Sequence, residues 1–268
     1  MHGRVAAAVL TAADPIGVSV VIAGAFARDL HTHYQHGFAV ERRTEDVDFA
    51  LAVSDWPQFQ TLRQALLATR QFQEAPGRLH RLQHHDGLPV DLVPFGGVED
   101  ESRHLTWPPP GDTRMHVFGF REALSGASTA ILPGNVTVRF ASIPALVLLK
   151  LIAWNDRHTY APRRDAPDLL LLLRHYADLG NQNRLYSQFA HWLDEPDFDY
   201  VLAGARMAGH DVAKLLAATD RPMLLALLRR EIDNNAPGRL PAEMVRGDPE
   251  FARRLLVALY AGLGDATA

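Results

Sequence analysis

Three aspartates stand out because each lies in a segment that otherwise has the composition of a buried strand. Asp46 and Asp48 occur in the string Thr-Glu-Asp-Val-Asp-Phe (44–49), and Asp91 occurs in Val-Asp-Leu-Val-Pro-Phe (90–95). Side chains alternate between the faces of a strand, so Asp46 and Asp48 share one face, about 6.5–7 Å apart. A buried carboxylate is costly unless it is paired or binds a cation. Three carboxylates that converge on one sheet predict an Mg²⁺ site of the kind that serves nucleotide phosphates.

Simpler interpretations of these aspartates remain open. Asp46 and Asp48 also suit the start of a strand, where their side chains are solvated. Asp91 also suits an edge strand, where a charge protects against aggregation. The occurrence of all three together favours metal binding.

The segments around the aspartates predict alternating strands and helices. One helix follows Gly24 to about residue 33, and a second, capped by Ser54-Asp55, continues to about residue 70. Asp86-Gly87 supplies the turn of a hairpin. Gly24 also suits a tight turn with no further role. The predicted strands cover 18–22, 46–53, 72–83 and 88–95.

The composition changes after residue 96. Residues 96–115 are rich in glycine, proline and charge and predict a surface loop. Two short strands near 130–132 and 136–140 then flank a Pro-Gly-Asn turn. Together with the earlier elements they predict a small mixed sheet with helices on one face.

Everything from Ile143 onward predicts helices. We therefore expect an α/β fold in which a mixed-sheet core over residues 1–141 is followed by an all-helical domain over residues 142–268. The predicted helices cover 143–157, 166–179, 182–193, 198–217, 221–234 and 241–262.

The bulk composition is that of an ordinary globular protein, with 47% hydrophobic and 22% charged residues in a chain of 268. The net charge of −4 gives no general attraction to nucleic acid or to membranes. The chain has no cysteine, which excludes disulfides and thiolate zinc sites and favours a reducing cytoplasm. We expect no signal peptide and no membrane span, since the apolar run around 146–152 is short and contains Lys150.

Lysine is rare in this chain, where Lys150 and Lys214 stand among 27 basic residues. A lysine kept in an arginine-rich chain suits a role that arginine cannot fill, such as a compact charge on a phosphate. Lys150 shares a helix face with Trp154 and Arg157. The same spacing also fits the solvated face of an amphipathic helix.

Two groups of histidines suggest metal ligation. We expect them to be surface histidines instead, because the first group lacks a full helical ligand pair and the second falls at a hairpin turn. The two groups are His31, His33 and His36, and His80, His84 and His85.

The motifs in combination resemble the nucleotidyltransferase superfamily with the polymerase-β-like fold. In that pattern a glycine-led turn is followed by Asp-x-Asp on the next strand and by a single Asp on a later strand. The string Arg-Thr-Glu-Asp-Val-Asp-Phe (43–49) and the later pattern Lys150…Arg157…Arg-Asp-Ala-Pro-Asp-Leu (164–169) resemble the AbiEii-like nucleotidyltransferases. These are toxins of abortive-infection and type IV toxin–antitoxin systems. The matched motifs span about residues 20–180.

The resemblance implies transfer of a nucleoside monophosphate from an NTP to an acceptor, with release of pyrophosphate. It implies two Mg²⁺ ions, with Mn²⁺ as an alternative, on Asp46, Asp48 and Asp91. Asp91 would also activate the acceptor as a general base. Gly24-Ala25 and Arg28 would bind the nucleotide, although Arg28 and Asp29 also fit an exposed ion pair of little energetic value.

The later motif is implied to complete the site. Lys150 would neutralise phosphate charge, and Arg157, Asp165 and Asp168 would hold that lysine or the acceptor in place, in a cleft between the two domains. Asp165 and Asp168 bracket Pro167, so they also fit carboxylates that stabilise a helix N-terminus without any catalytic role.

The partners implied by the resemblance are an NTP, a tRNA or other RNA acceptor, and a cognate antitoxin. Two arginine-rich stretches, 157–164 and 229–239, are candidates for RNA contact. One alternative is a small-molecule acceptor of the aminoglycoside type. Another is a catalytically silent homologue that binds nucleotide or protein, because Gly24-Ala25 departs from the Gly-Gly or Gly-Ser usual in the family and alanine supplies no hydroxyl.

Overall fold

The protein is described by a computed structural model over residues 1–40, 44–108, 114–233 and 238–265. The chain divides into two compact units, Met1–Ser142 and Ile143–Ala268. The first unit carries a mixed β-sheet with helices, and the second is helical, so the fold belongs to the α/β class. None of the helices in the described ranges combines the length and the hydropathy needed to cross a membrane.

A seven-stranded mixed sheet forms the centre of the first unit. The strands are β1 (Ser19–Ala23), β2 (Val47–Val53), β3 (Phe72–Glu74), β4 (Arg81–His84), β5 (Pro89–Gly96), β6 (His104–Thr106), β7 (Arg114–His116), β8 (Ser128–Leu132) and β9 (Val136–Phe140). Their order in the sheet is β3-β4-β5-β2-β1-β9-β8, and β6 and β7 form a separate antiparallel pair. β2 lies antiparallel to β1 and parallel to β5, which gives the predicted mixed sheet.

The helices after Gly24 and after Asp55 are the two that the sequence predicts in the first unit, and the described residues contain two more. The helices of this unit are α1 (His2–Ala13), α2 (Gly24–Asp29), α3 (Trp56–Ala68) and α4 (Phe120–Ser125). α2 continues as a π-helical segment, Leu30–Gln35. The side chain of Asp55 caps α3 by accepting a hydrogen bond of 2.8 Å from the amide of Gln58, as predicted.

The two central strands are buried on both faces, as is typical of parallel strands inside a sheet. Phe49, Leu51 and Leu92 are fully or almost fully buried. Removing the ring of a residue such as Phe49 costs about 3–5 kcal/mol in a protein core. Asp48 and Asp91 are therefore the exceptions in strands that packing would otherwise make entirely apolar.

The second unit consists of α5 (Ile143–Arg157), α6 (Ala166–Arg174), α7 (Gln182–Leu185), α8 (Tyr200–Leu215), α9 (Arg221–Ile232), α10 (Arg239–Met244) and α11 (Glu250–Asp265). Glycines bring α8 and α11 into close contact. A Cβ atom at Gly209 would lie 2.1 Å from the carbonyl oxygen of Leu259, and one at Gly262 would lie 1.8 Å from that of Arg206. Larger residues at these two positions would push the helices apart.

Several predicted elements differ from those observed in the first unit. The predicted strand over 72–83 is two strands, β3 and β4, separated by a turn in which Gly77 has a φ of +69°. The predicted loop over 96–115 contains β6 and the first residues of β7, although residues 109–113 lie outside the described ranges. α1 and α4 were not predicted; neither has a side-chain cap at its N-terminus, and α4 has only six residues.

In the second unit, three predicted helices are shorter or divided. The helix predicted over 166–179 ends at Arg174, and a π-helical segment with Gly180 at a φ of +84° follows. The segment 182–193 is α7 followed by a short 3₁₀ turn. The helix predicted over 241–262 is divided into α10 and α11 around Gly247, whose φ is +117°.

Candidate active site

The strand register brings two of the three aspartates together. β2 and β5 are parallel neighbours in which Asp48 lies opposite Asp91. Neighbouring strands are about 4.8 Å apart, and residues in this register project from the same face of the sheet. Asp46 lies one residue before β2 begins. The edge-strand interpretation of Asp91 is wrong, because β5 lies between β4 and β2.

Gly24 lies against the carboxylate of Asp48. β1 ends at Ala23, which pairs with Asp48, and Gly24 then begins α2 with a φ of +64°. A Cβ atom at Gly24 would lie 1.8 Å from Oδ2 of Asp48. Both the backbone conformation and the close approach therefore require glycine. Ala25 is not among the described residues with a positive φ, so an alanine is unstrained there.

Arg81 stands within this aspartate cluster and was not predicted from the sequence. Its Nε and Nη2 atoms donate to Oδ1 and Oδ2 of Asp91, each at 2.6 Å, and Nη2 also donates to Oδ2 of Asp46 at 3.0 Å. The hydrogen bonds to Asp91 raise the pKa of Arg81 above its usual value; burial opposes this rise, and the charges of Asp91, Asp46 and Asp48 add to it. Arg81 is therefore a permanent positive charge among the carboxylates.

A second ion pair fixes the start of the Asp-x-Asp string. Arg28 donates from Nε and Nη2 to Oδ1 of Asp29, at 2.9 and 2.6 Å, and the hydroxyl of Thr44 donates to Oδ2 of Asp29. The expectation of an exposed pair is wrong, because Arg28 and Asp29 are both buried. This contact ties Thr44, two residues before Asp46, to α2. Arg43, which belongs to the family string, lies outside the described residues.

The aspartate cluster fits a hard divalent cation by the chemistry of its donors. Carboxylate oxygens are the ligands that Mg²⁺ prefers, and Mg²⁺ sites commonly use one or two carboxylates together with substrate phosphates. Because glycine has no side chain, the backbone of Gly24 lies directly against the carboxylate of Asp48. A Cβ atom on any other residue would occupy the space next to that carboxylate. Asp46, Asp48 and Asp91 supply the carboxylates from which the ligands of such an ion would come.

A different group of metal-ligating side chains is more compact. The ligand atoms of His84, His85 and Asp86, at the turn between β4 and β5, lie within 4.8 Å of one another. Within the described ranges the three aspartates are not gathered so closely. The surface expectation is wrong for His84, which is 1% exposed, and for His31, which is 5% exposed. Burial lowers the pKa of both histidines.

Asp86 at this turn already has a cationic partner, since Nη2 of Arg4 donates to its Oδ2 at 2.6 Å. The amide of Asp86 also donates to Nδ1 of His84, at 3.2 Å. The group is therefore held together by internal contacts that a metal ion would have to replace.

The predicted lysine motif forms a second charged cluster, in the helical unit. Nζ of Lys150 lies 2.6 Å from Oδ2 of Asp168 and 3.4 Å from Oδ1 of Asp165. Arg157 donates from Nε and Nη2 to both oxygens of Asp165, each at 2.6 Å. Lys150 is buried, so its interpretation as part of a solvated helix face is wrong.

Asp165 is the centre of this second cluster. Burial by itself would raise the pKa of Asp165, but the hydrogen bonds from Arg157 and the charges of Lys150 and Arg157 outweigh burial and lower that pKa below its usual value. Asp165 precedes α6, yet its side chain caps no amide of that helix. Its carboxylate acts on the two cations rather than on the helix N-terminus.

The two arginine-rich stretches meet within the helical unit. Nη2 of Arg230 donates to Oδ1 of Asn155 at 2.9 Å, and Nη2 of Arg239 donates to the carbonyl oxygen of His158, also at 2.9 Å. The buried carboxylate of Glu243 accepts a hydrogen bond of 3.0 Å from the indole nitrogen of Trp154. Residues 234–237 of the second stretch lie outside the described ranges.

The exposed side chains of these stretches form what we call the arginine surface. Tyr160, which is 74% exposed, belongs to the same segment. The amide of Arg163 donates to Glu243, which ties this segment to α10. The arginine surface consists of Arg163, Arg164, Arg229, Arg230 and Arg239.

Comparison with solved structures gives distant likenesses. The antibiotic-resistance factor ANT(2″)-Ia is 15% identical, with 71% of this chain and 94% of that chain covered and a TM-score of 0.41. A putative nucleotidyltransferase from H. pylori is 16% identical over 99% of this chain and 95% of that chain, with a TM-score of 0.37. An antigenic nucleotidyltransferase-like protein from Paracoccidioides brasiliensis is 18% identical over 71% and 89%, with a TM-score of 0.40.

No curated protein sequence matches this chain. A family model does match, over residues 9–252, and it is described as nucleotidyl transferase AbiEii toxin, type IV toxin–antitoxin system. This range includes the glycine turn, the three aspartates and the lysine motif. The chain therefore belongs to the AbiEii family of nucleotidyltransferases.

Proposed function

We propose that this protein is a metal-dependent nucleotidyltransferase that transfers a nucleoside monophosphate from an NTP to RNA, with the 3′ end of tRNA as the acceptor. The observation that carries the proposal is the placement of Asp48 and Asp91 on neighbouring parallel strands, with Asp46 beside them and Gly24 against Asp48. Packing alone gives no reason for carboxylates in these strands.

In the proposed reaction, a hydroxyl group of the acceptor gives its proton to the carboxylate of Asp91, and its oxygen forms a bond to the α-phosphorus of the NTP. The bond from the α-phosphorus to the bridging oxygen breaks, and pyrophosphate leaves. Mg²⁺ held by the aspartates would supply positive charge for the phosphates. Gly24 allows the backbone to come close to the triphosphate, because it presents no side chain there.

Lys150 and Arg157 are the proposed ligands of phosphate in the helical unit. Asp168 and Asp165 hold both cations by short contacts, so their charged groups are positioned before a nucleotide binds. A phosphate of the nucleotide would replace Asp168 as the partner of Lys150. The lysine would then be paired with a negative charge both before and after the nucleotide binds. Lysine suits this exchange because its ammonium group is a compact charge without a fixed hydrogen-bonding plane.

The arginine surface favours RNA over a small molecule as the acceptor. Exposed arginines bind phosphates of a nucleic acid backbone, and an exposed aromatic ring such as that of Tyr160 stacks on an unpaired base. The net charge of the chain is −4, so RNA binding would depend on this local group of arginines, of which Arg230 and Arg239 also pair with Glu231 and Glu243. The AbiEii family also supports a cognate antitoxin as partner, and the absence of cysteine supports a cytoplasmic location.

The RNA part of the proposal is tested by the salt dependence of binding to tRNA. We expect the double variant Arg163→Gln/Arg164→Gln to bind tRNA more weakly, with the slope of log affinity against log salt reduced by about one for each arginine that no longer neutralises a phosphate. Arg114→Gln is the matched control, because Arg114 is also exposed but pairs with Asp100 in the first unit. An unchanged slope in the double variant, or transfer of label to an aminoglycoside and not to RNA, would reject RNA as the acceptor.

A further inference from the structure

We propose that Arg81 is a resident cation of the aspartate cluster and takes the place of one of the two metal ions that the family resemblance implies. The protein without nucleotide then binds one divalent ion, not two. This inference rests on the proposed function, because it concerns the same metal site. It adds a residue outside the matched motifs to that site and assigns it a positioning role.

The position of Arg81 is fixed by the backbone. β4 and β5 are antiparallel, and Arg81 lies directly opposite Asp91 in their ladder. Cross-strand neighbours of this kind have Cβ atoms about 4.5–5.5 Å apart. The side chain of Arg81 is only 18% exposed, and that of Asp91 only 10% exposed. Arg81 is therefore a built part of the cluster and not a surface residue that happens to reach it.

The contacts of Arg81 distinguish Asp91 from Asp46. Both oxygens of Asp91 accept a hydrogen bond of 2.6 Å from the guanidinium group, which is the strong bidentate geometry of an arginine–carboxylate pair. Asp46 contributes only one oxygen, at 3.0 Å. An ion that used Asp91 as a ligand would have to displace two charge-assisted hydrogen bonds, whereas an ion on Asp46 would displace one longer contact.

Charge leads to the same conclusion. The carboxylates of Asp46 and Asp91 repel each other, because they are like charges in a partly buried site. The guanidinium group of Arg81 lies between them and already reduces this repulsion, which a second divalent ion would otherwise relieve. We therefore assign the ion to Asp46 and Asp48, and we assign Asp91 to Arg81. Asp91 becomes available to activate an acceptor only when Arg81 releases it.

The first test is a titration of the wild-type protein with Mn²⁺ alone. Binding is measured by isothermal calorimetry and by the electron paramagnetic resonance signal of free Mn²⁺. We expect one ion per chain. Two ions of similar affinity would overturn the assignment of Arg81 while leaving the proposed function intact. No specific binding would instead contradict the metal site of the proposed function itself.

Two variants then show whether Arg81 sets the number of ions. We expect Arg81→Gln to bind the first Mn²⁺ about tenfold more tightly and to take up a second ion, because a positive charge has left the cluster. Arg81→Lys keeps the charge without the planar fork and should bind one ion, as the wild type does. Arg63→Gln is the control, since Arg63 pairs with Glu74 and with the carbonyl oxygen of Leu79, away from the aspartates.

The outcomes separate a specific role from a general loss of structure. If Arg81→Gln has the Mn²⁺ stoichiometry and affinity of the wild type while folded by circular dichroism, the inference is wrong. If Arg81→Gln is unfolded alone, Mn²⁺ should restore its structure, because the ion would replace the missing cation. Failure of Mn²⁺ to restore it, or two ions in Arg81→Lys, would also overturn the inference.

Discussion

The two charged clusters of this protein have opposite arrangements. In the first unit one cation, Arg81, is shared between two carboxylates, those of Asp46 and Asp91. In the helical unit one carboxylate, that of Asp165, is shared between two cations, Lys150 and Arg157, and a second carboxylate, that of Asp168, pairs with Lys150. The first cluster therefore has more carboxylates than cations, whereas the second has two of each.

The clusters also differ in burial, and this difference predicts whether a substitution changes mainly the stability or mainly the activity. The side chain of Asp165 is 1% exposed, whereas that of Asp46 is 23% exposed. Removing one partner of a buried ion pair leaves an uncompensated charge, but removing a partly exposed carboxylate costs much less. We therefore expect substitutions in the helical cluster to act first on stability, and substitutions in the aspartate cluster to act first on catalysis.

The largest expected effect is that of Asp165→Asn. The substitution removes a buried carboxylate from the half-buried Arg157 and from Lys150, which keeps Asp168 as its partner, so the free energy of unfolding should fall by about 3 kcal/mol. Hydrogen exchange followed by mass spectrometry, resolved to peptides of α5 and α6, measures this loss locally. Protection of those peptides equal to that of the wild type would contradict the structural role given to Asp165.

The next effect is that of Asp46→Asn, which tests the opposite side of the comparison. We expect nucleotidyl transfer to fall by about a hundredfold or more, because a charged ligand of the proposed metal site is lost. The free energy of unfolding should change by less than about 1 kcal/mol, since the carboxylate is partly solvated. The comparison between the clusters is contradicted if Asp46→Asn unfolds the first unit while Asp165→Asn leaves the second unit intact.

A smaller effect is expected at the glycine turn. Gly24→Ala should cost about 1–2 kcal/mol of stability for the positive φ, with a further loss from the overlap with Asp48 and a loss of transfer activity. Gly17→Ala is the matched control, because Gly17 has a φ of +68° and a Cβ atom added there would meet nothing within 4 Å. Equal losses of stability and unchanged transfer in both variants would show that the contact with Asp48 does not matter.

The smallest effect is a pH dependence of the helical unit. Because the folded pKa of Asp165 lies below its ordinary value of 3.8, its pairing contributes stability at neutral pH, and this contribution is lost as the pH falls through the folded pKa. Denaturant unfolding of the wild type and of Asp165→Asn at pH 7 and in acid measures it. The difference between the two proteins should narrow in acid, and a constant difference would contradict the assignment.

The sequence predicts those parts of the fold in which local pattern and burial agree. β2, β5 and the helix Ile143–Arg157 are long apolar segments, and the strand pairing puts Asp48 opposite Asp91 as the metal-site hypothesis requires. The predicted turn at Asp86-Gly87 is also observed. Short elements such as β6 have no pattern of their own, because tertiary pairing rather than propensity determines them.

Arg81 was not predicted as a site residue, although the sequence contains the information that would place it there. Its role depends on the register of a hairpin, and the single strand predicted over 72–83 left that register undefined. Arg81 and Asp91 lie equally far along the chain from Asp86, so a hairpin centred on that turn places them opposite each other. The burial of Lys150, Arg28 and His84 could not be predicted in this way, because it depends on contacts between segments that are distant in sequence.

The central claim is tested most directly by incubating the pure protein with Mg²⁺, each α-labelled NTP in turn and total RNA, with Asp46→Asn as the control. The account predicts that label from an NTP appears on RNA with the wild type and not with Asp46→Asn. Wild-type protein that binds Mg²⁺ and NTP but leaves all RNA unlabelled would contradict it, as would equal labelling by Asp46→Asn.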